Sequence, residues 1–224
     1  MDWSPILISM RTAGLSILIT FFAGIVAAWL VVSLKNEVVR VILDGILTLP
    51  LVLPPTVAGF FLLYIFGVKR PVGIFFLEYF SVKIAFSWGA TVIAAVVMSF
   101  PLMYRSARGA FEQVDANLLA AARTLGMSEW NIFWRVLLAN AVPGVVSGGV
   151  LAFARGLGEF GATAMIAGNI AGKTRTLPMA VYSEVAAGNM DSAYQYVAII
   201  VVIAFAAVIL MNFAQYRAGK KYRT

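Results

Sequence analysis

The sequence predicts an all-α membrane protein, a polytopic bundle of about five transmembrane helices. Of its 224 residues, 62% are hydrophobic and 12% are charged, and the mean hydropathy is +0.91. Soluble domains carry roughly 25% charged residues, so this composition is typical of a chain with lipid as its solvent. The apolar stretches are continuous rather than alternating, which indicates helices and not the strands of a membrane barrel.

Five apolar stretches reach the roughly 20 residues that a helix needs to cross the hydrocarbon core. Four of them contain no charged residue, and the one before the last contains Arg155 and Glu159. A shorter stretch at 3–10 is expected to lie at the membrane interface. We expect residues 1–224 to form one transmembrane domain. Its predicted spans are 13–34, 45–68, 84–104, 137–170 and 194–216, with a cytoplasmic connection at 105–136.

The distribution of basic residues predicts the orientation, because lysine and arginine gather on the cytoplasmic side of a membrane. With the N-terminus outside and the C-terminus inside, ten basic residues lie inside and six outside. The inner residues are Lys35, Arg40, Arg105, Arg108, Arg123, Arg135, Arg217, Lys220, Lys221 and Arg223. The outer residues are Arg11, Lys69, Arg70, Lys83, Lys173 and Arg175.

The residues needed for catalysis are scarce. The chain contains no cysteine and no histidine, which excludes disulfides and thiol nucleophiles and removes most zinc chemistry. An intramembrane enzyme would need a convergent acid–base or metal set, and Glu159 is essentially the one carboxylate within the predicted spans. We therefore expect neither a catalytic residue nor a metal site.

The second predicted span contains a cluster of prolines. Pro50, Pro54 and Pro55 precede Thr56, and each proline removes a backbone donor and crowds the preceding turn. Three prolines so close together predict a broken or kinked helix. Broken backbone at membrane depth is tolerated against protein or a water-filled cavity. These four residues are therefore candidates for the wall of a pathway, with a simple kink near the interface as the alternative.

The cytoplasmic connection predicts a helical elbow. Asp115 can cap a helix over 116–125, Gly126 can end that helix in a left-handed conformation, and Ser128 can cap a second helix that returns to the membrane. The pattern also resembles a DNA-binding helix-turn-helix. A recognition helix presents polar side chains to bases, whereas this second helix offers Trp130 and Trp134, which suit a membrane interface. We therefore expect no nucleic acid as a partner.

The elbow resembles the signature loop of ABC-importer permeases, in which Glu-Ala-Ala is followed after three residues by glycine. Ala121, Ala122 and Gly126 match, whereas Ala120 replaces the glutamate of the family and Ala139 replaces a later proline. The resemblance implies a type I ABC importer-like fold, with the elbow as the coupling helix that docks on an ATPase subunit. The implied coupling residues are Ala120, Ala121, Ala122, Arg123, Leu125 and Gly126.

A second resemblance, to the molybdate-transporter permeases, extends over nearly the whole chain. Its motifs lie at 49–55, 100–103, 153–163, 168–170 and 174–182. It implies two copies of this chain in the inner membrane, two ATPase subunits that bind ATP and Mg²⁺, and a periplasmic binding protein for molybdate. No cofactor is implied on this chain. Sulfate and thiosulfate permeases share the Leu-Gly-Glu-Phe-Gly motif at 157–161 and are the alternative.

Two further pairs of charged residues are candidates. Arg155 and Glu159 are four residues apart, and we expect them to pair on one face of a helix as a gate or as a structural ion pair. Lys173 and Arg175 are expected at the outer face, where an oxyanion or its binding protein arrives, or as solvated loop charges.

Transport of molybdate into a cell requires energy. Moving a dianion inward against −100 mV costs about 4.6 kcal/mol before any concentration gradient. The chain has no Gly-x-x-x-x-Gly-Lys-Ser/Thr loop for ATP, so the energy would arrive through a partner. A stand-alone secondary carrier is the less favoured alternative, because such carriers usually contain inverted repeats and none is evident here.

Overall fold

The computed structural model describes residues 2–221, and the side chains of residues 2–213. Within that part, the chain forms ten helices and no strand. They are α1 (Ser4–Val32), α2 (Glu37–Val52), α3 (Pro55–Phe66), α4 (Pro71–Phe80), α5 (Trp88–Glu112), α6 (Ala116–Thr124), α7 (Glu129–Leu157), α8 (Gly161–Ile166), α9 (Leu177–Ala186) and α10 (Met190–Lys221). A π-helical turn, Phe133–Leu137, lies within α7.

Four of these helices, α1, α5, α7 and α10, are long and apolar enough to cross a membrane. Helices α2 and α3 are apolar enough only when taken together, and they are bent by 110° at their break, so the described residues contain four spans, or five if this pair is one. The structure therefore confirms an all-α bundle of about five spans. The ten-residue helix α4 is apolar but too short to span.

Residues 4–10 do not form a separate helix, because α1 runs without interruption from Ser4 to Val32. Its first turns are packed rather than free. The Ser9 hydroxyl accepts a hydrogen bond from the Leu177 N–H at 2.7 Å. At 29 residues, α1 is about 43 Å long at 1.5 Å per residue, longer than the hydrocarbon core.

The predicted span at 137–170 is also wrong in its extent. The helix ends at Leu157 with Gly158 as its C-cap, and the separate short helix α8 follows. The helix begins earlier than predicted, at Glu129, so the second arm of the elbow continues directly into the membrane span. At this break, the Glu159 carboxylate accepts a hydrogen bond from a backbone N–H of α8.

Helix α5 lies at the centre of the bundle, between α1 and α7. Of the most apolar 18 residues in each helix, 61% are buried in α5 but 11% in α10, so α5 faces protein and α10 faces outward. Side-chain hydroxyls join α1 to α5, with Thr12 bonded to Thr91 at 2.9 Å and Thr20 bonded to Ser99 at 3.2 Å. These bonds satisfy polar groups that lipid would leave unpaired.

Glycines allow α7 to approach α5 closely. A Cβ atom added to Gly148 would lie 2.4 Å from the Cβ of Ser106, and one added to Gly144 would lie 2.6 Å from the Cβ of Ala110. Real side-chain atoms cannot be that close, so only glycine permits this distance between the helix backbones. Small residues serve the same purpose in other membrane helix pairs.

The two ends of α1 identify the two ends of the bundle. Near its start, Ser9 contacts the beginning of α9, and near its end the Trp29 ring lies 4.8 Å from the Phe133 ring of α7. We call these the loop end and the elbow end. Arg223 lies outside the described residues, as do the side chains of Arg217, Lys220 and Lys221, which the predicted orientation also counts.

Candidate coupling elbow and broken-helix site

The elbow has the predicted helix and caps. The Asp115 carboxylate accepts a hydrogen bond from the Asn117 N–H at 2.8 Å, and α6 follows immediately. Gly126 has a φ of +77°, and the Met127 N–H bonds back to the Ala122 carbonyl at 3.1 Å. The Ser128 hydroxyl then accepts from the Asn131 N–H at 3.4 Å at the start of α7. A left-handed residue at this point turns the chain sharply between two helices.

The elbow presents a small, partly apolar surface. Ala122 lies on the buried face of α6. Ala120, Ala121 and Gly126 are exposed, and Leu125 is 81% exposed. The sequence-predicted coupling residues thus lie together, with Ala122 on the inner face of the helix.

An ion pair closes the elbow across its turn. Arg123 donates from Nε to Glu129 Oε1 at 2.7 Å and from Nη2 to Glu129 Oε2 at 3.2 Å. The hydrogen bonds to Glu129 raise the pKa of the Arg123 guanidinium above its ordinary value. Because both side chains are more than half exposed, the pair orients the elbow more than it stabilises the fold.

Aromatic rings seat the elbow on the bundle. Phe133 of α7 is buried against Trp29 of α1 at 4.8 Å and Phe111 of α5 at 6.1 Å between ring centroids. Trp130 and Trp134 flank it and are about half exposed, at 59% and 49%. The elbow is therefore in direct contact with both α1 and α5.

Two interruptions of the membrane helices lie against each other. The first lies between α2 and α3, where Leu53 and Pro54 are extended and Pro55 begins α3. The second lies between α7 and α8. A Cβ atom added to Gly161 would lie 2.8 Å from Pro55 Cβ and 3.2 Å from the Thr56 backbone nitrogen. The two breaks therefore touch, and only glycine fits between them.

The double break contains most of the predicted pathway residues. Pro54, Pro55 and Thr56 are exposed on the surface of the single chain, next to the start of α8. Pro50 lies within α2, four residues before Pro54, and is half-buried. The structure confirms that the proline cluster breaks the second span.

Arg155 and Glu159 form the expected ion pair, although not on one helix face. Arg155 Nη1 lies 2.6 Å from Glu159 Oε2, but Glu159 comes after the end of α7. Its other oxygen, Oε1, accepts a hydrogen bond from the Ala162 N–H of α8 at 2.7 Å. Glu159 is 2% exposed. Its carboxylate thus neutralises Arg155 and satisfies a backbone donor that the helix break leaves free.

Lys173 and Arg175 lie at the loop end, away from the elbow. Arg175 donates from Nε to the Asn169 side-chain oxygen at 2.9 Å, and Asn169 donates in turn to the Ser183 hydroxyl at 2.7 Å. Arg175 thus holds the turn between α8 and α9, while Lys173 is exposed. The two charges share one loop but have different surroundings.

Sequence reasoning missed a charged network between the middle of α2 and the elbow end of α5. Asp44 of α2 forms an ion pair with Arg108 of α5 and accepts a hydrogen bond from the Tyr104 hydroxyl at 2.9 Å. Arg108 also donates to Glu112 at 2.9 Å. One signal was available, because Asp44 is the acidic residue at the edge of an apolar stretch, but its partner is 64 residues away in the chain.

A groove of mixed polar and apolar lining opens beside the elbow, between α5 and α7. Its volume is about 640 Å³, and its lining includes Arg105, Gln113, Asn140 and the helix cap Asp115. Among the residues that the structure describes, no three acidic side chains come together as a metal site would require. The candidate functional features are an elbow, a groove beside it and a double helix break.

The family of the chain follows from comparison with known proteins. A protein family described as the binding-protein-dependent transport system inner membrane component matches residues 20–224. The chain belongs to this family. It is 46% identical over 182 residues to the molybdenum transport system permease protein ModB of Escherichia coli (strain K12), which covers 81% of this chain and 79% of that protein.

A more distant relative and a solved structure agree. The ModB protein of Mycobacterium tuberculosis (strain ATCC 25618 / H37Rv) is 41% identical over 206 residues, covering 92% of this chain and 77% of that protein. A chain of the inward-facing MetNI methionine ABC transporter matches with a TM-score of 0.76 over 97% of both chains, at 16% identity. That likeness concerns the fold alone, and it confirms the expected fold of an ABC-importer permease.

The Glu159 pair can be tested by stability. Glu159→Gln removes the charge opposite Arg155 but keeps an oxygen for the Ala162 N–H, and Glu159→Ala removes both. We expect both variants to lower the midpoint of thermal unfolding in detergent, alanine more, because breaking a buried pair costs about 3–5 kcal/mol. Glu129→Gln breaks an exposed arginine–glutamate pair, worth about 0–1 kcal/mol, and is the matched control. Equal shifts for Glu129→Gln and Glu159→Gln would contradict this role.

Proposed function

We propose that this chain is the membrane-spanning subunit of an ATP-driven importer that carries molybdate, or the similar tungstate, into the cytoplasm. The observation that carries the proposal is the 46% identity to a molybdenum transport permease over four-fifths of the chain. The elbow and the double break add to it, because they provide a surface for an energy source and a site of irregular backbone at membrane depth.

The energy would come from two ATPase subunits, which bind ATP and Mg²⁺. This chain would hydrolyse nothing itself. Each ATPase would grip one elbow, where exposed Ala121, Leu125 and Gly126 permit close approach of another surface. Since the elbow is seated on Trp29 and Phe111, its displacement would move α1 and α5 together. This arrangement converts ATP binding into a change of helix positions.

The pathway would lie between two copies of the chain. Pro54, Pro55 and Thr56 are exposed in the single chain at a point where the helical backbone is broken, and a second copy facing them would enclose the double break. A periplasmic binding protein would deliver the oxyanion at the loop end, beside Lys173. In this arrangement affinity belongs to the binding protein, and the chain itself needs no tight anion site.

Uptake by the reconstituted complex tests the function. The chain is placed in proteoliposomes with its ATPase and binding protein, and uptake of labelled molybdate is measured with tungstate and sulfate as competitors. We expect ATP-dependent uptake that tungstate blocks and sulfate does not. Competition by sulfate would favour a sulfate permease, the class that shares the motif at 157–161. Uptake without ATP would indicate a secondary carrier.

Gly126 tests the coupling role of the elbow. Its positive φ strains a β-branched residue by about 1–3 kcal/mol, although no atom lies within 4 Å of an added Cβ. We expect Gly126→Val to leave the chain folded but to reduce molybdate uptake per ATP hydrolysed. Gly126→Asn is the control, because asparagine tolerates the left-handed region. Unchanged uptake in Gly126→Val would count against the elbow as the coupling element.

The orientation can be measured directly because the chain has no cysteine. Lys35→Cys places a thiol between α1 and α2 at the elbow end, and Lys173→Cys places one at the loop end. Both lysines are exposed. With the N-terminus outside, a membrane-impermeant maleimide should label Lys173→Cys in intact spheroplasts and Lys35→Cys only after lysis. The reverse pattern would contradict the predicted orientation.

A further inference from the structure

Helix α2 connects two functional regions but is weakly held by apolar contacts. None of its residues is fully buried, and Val38, Val41, Ile42 and Ile46 are all more than half exposed. Its inner face contributes only Leu43 and Leu47 to the main hydrophobic core. A helix with so small an apolar contact depends on its polar contacts for its position against the bundle.

Asp44 provides those polar contacts. It pairs with Arg108 and accepts the Tyr104 hydroxyl at 2.9 Å, so two successive turns of α5 hold one carboxylate. Tyr104 is completely buried, and the side chains of Arg108 and Asp44 are 21% and 32% exposed. A partly buried, doubly bonded carboxylate restricts helix position more firmly than an exposed ion pair does.

The position of the network along both helices is informative. On α5, Arg108 also bonds Glu112, the last residue of the helix, and Asp115 follows closely as the cap of the elbow helix. On α2, Asp44 lies six residues before Pro50, fewer than two helical turns, and α2 then leads directly into the double break. The network therefore bridges the end of α5 that bears the elbow and the helix that leads to the break.

We propose that Asp44, Tyr104 and Arg108 are positioning residues that transmit displacement of the elbow to the proline break. When α5 moves with the elbow, the network carries α2 with it. The break between α2 and α3 bends in response, because α3 is held by Gly59 packed on Ala162 of α8. This inference rests on the proposed function, since it concerns how that importer couples ATP to the pathway.

The test compares uptake and ATP hydrolysis in the same proteoliposomes for the complete complex. Asp44→Asn keeps an oxygen for Tyr104 but removes the charge that pairs with Arg108. We expect ATP hydrolysis to continue while molybdate uptake per ATP falls roughly fivefold or more, the size of a typical coupling between sites. Asp44→Glu, which restores the charge, should recover part of the ratio. Glu37→Gln removes an exposed carboxylate from the same helix and should leave it unchanged.

A second variant separates positioning from folding. Tyr104→Phe keeps the buried ring and removes only the hydroxyl, and we expect a smaller loss of uptake per ATP with normal thermal stability. In the double variant Asp44→Asn/Tyr104→Phe, the loss of uptake per ATP should be smaller than the losses of the two single variants combined, because both substitutions act on one contact.

Three outcomes would separate a positioning role of the network from a folding role and from failure of the proposed function. An uptake-to-ATP ratio in Asp44→Asn equal to that of the unmodified chain would overturn the proposal. Parallel loss of uptake and hydrolysis in Asp44→Asn and Tyr104→Phe, together with lowered thermal stability, would assign the network to folding and would also overturn it. Failure of the unmodified complex to import molybdate would contradict the proposed function instead, and the ratio would then be measured with sulfate.

Discussion

In a lipid bilayer, every backbone N–H and C=O group must find its partner within the protein, and the double break of this chain depends on that constraint. Two spans are interrupted, and the structure places the interruptions against each other, with Gly161 against Pro55 and Thr56. Glu159 is central to this arrangement. One oxygen bonds the free Ala162 N–H and the other neutralises Arg155. Gly161 allows Pro55 to approach within contact distance.

The rest of the architecture brings the elbow into mechanical contact with these breaks. Helix α5 is packed between α1 and α7 by hydroxyl pairs on one side and glycines on the other. Such close packing favours movement of the three helices as a unit. Helix α2 is joined to this unit by Asp44 and two leucines, and the proline break after it separates its axis from that of α3. A rigid core with one hinged helix suits an importer that alternates between two states.

The glycines of the bundle serve two different purposes. Gly144 and Gly148 contact α5 within the core and therefore serve packing. Gly161 contacts the proline break, so it belongs to the candidate pathway. For Arg155 and Glu159, the alternatives of a gate and a structural ion pair do not separate in this way. The ion pair stabilises the break and also lies at it.

The sequence alone determined the number of spans, the break at the prolines and the caps of the elbow, because each depends on local properties. Continuous apolar length, proline geometry and the residues Asp115 and Gly126 act within a few positions of the chain. The end of α7 at Leu157, the packed start of α1 and the network of Asp44 with Arg108 were decided by the tertiary structure. Each depends on a partner far away in the chain: Pro55 against Gly161, Ser9 against Leu177, and two helices that meet only in the folded bundle.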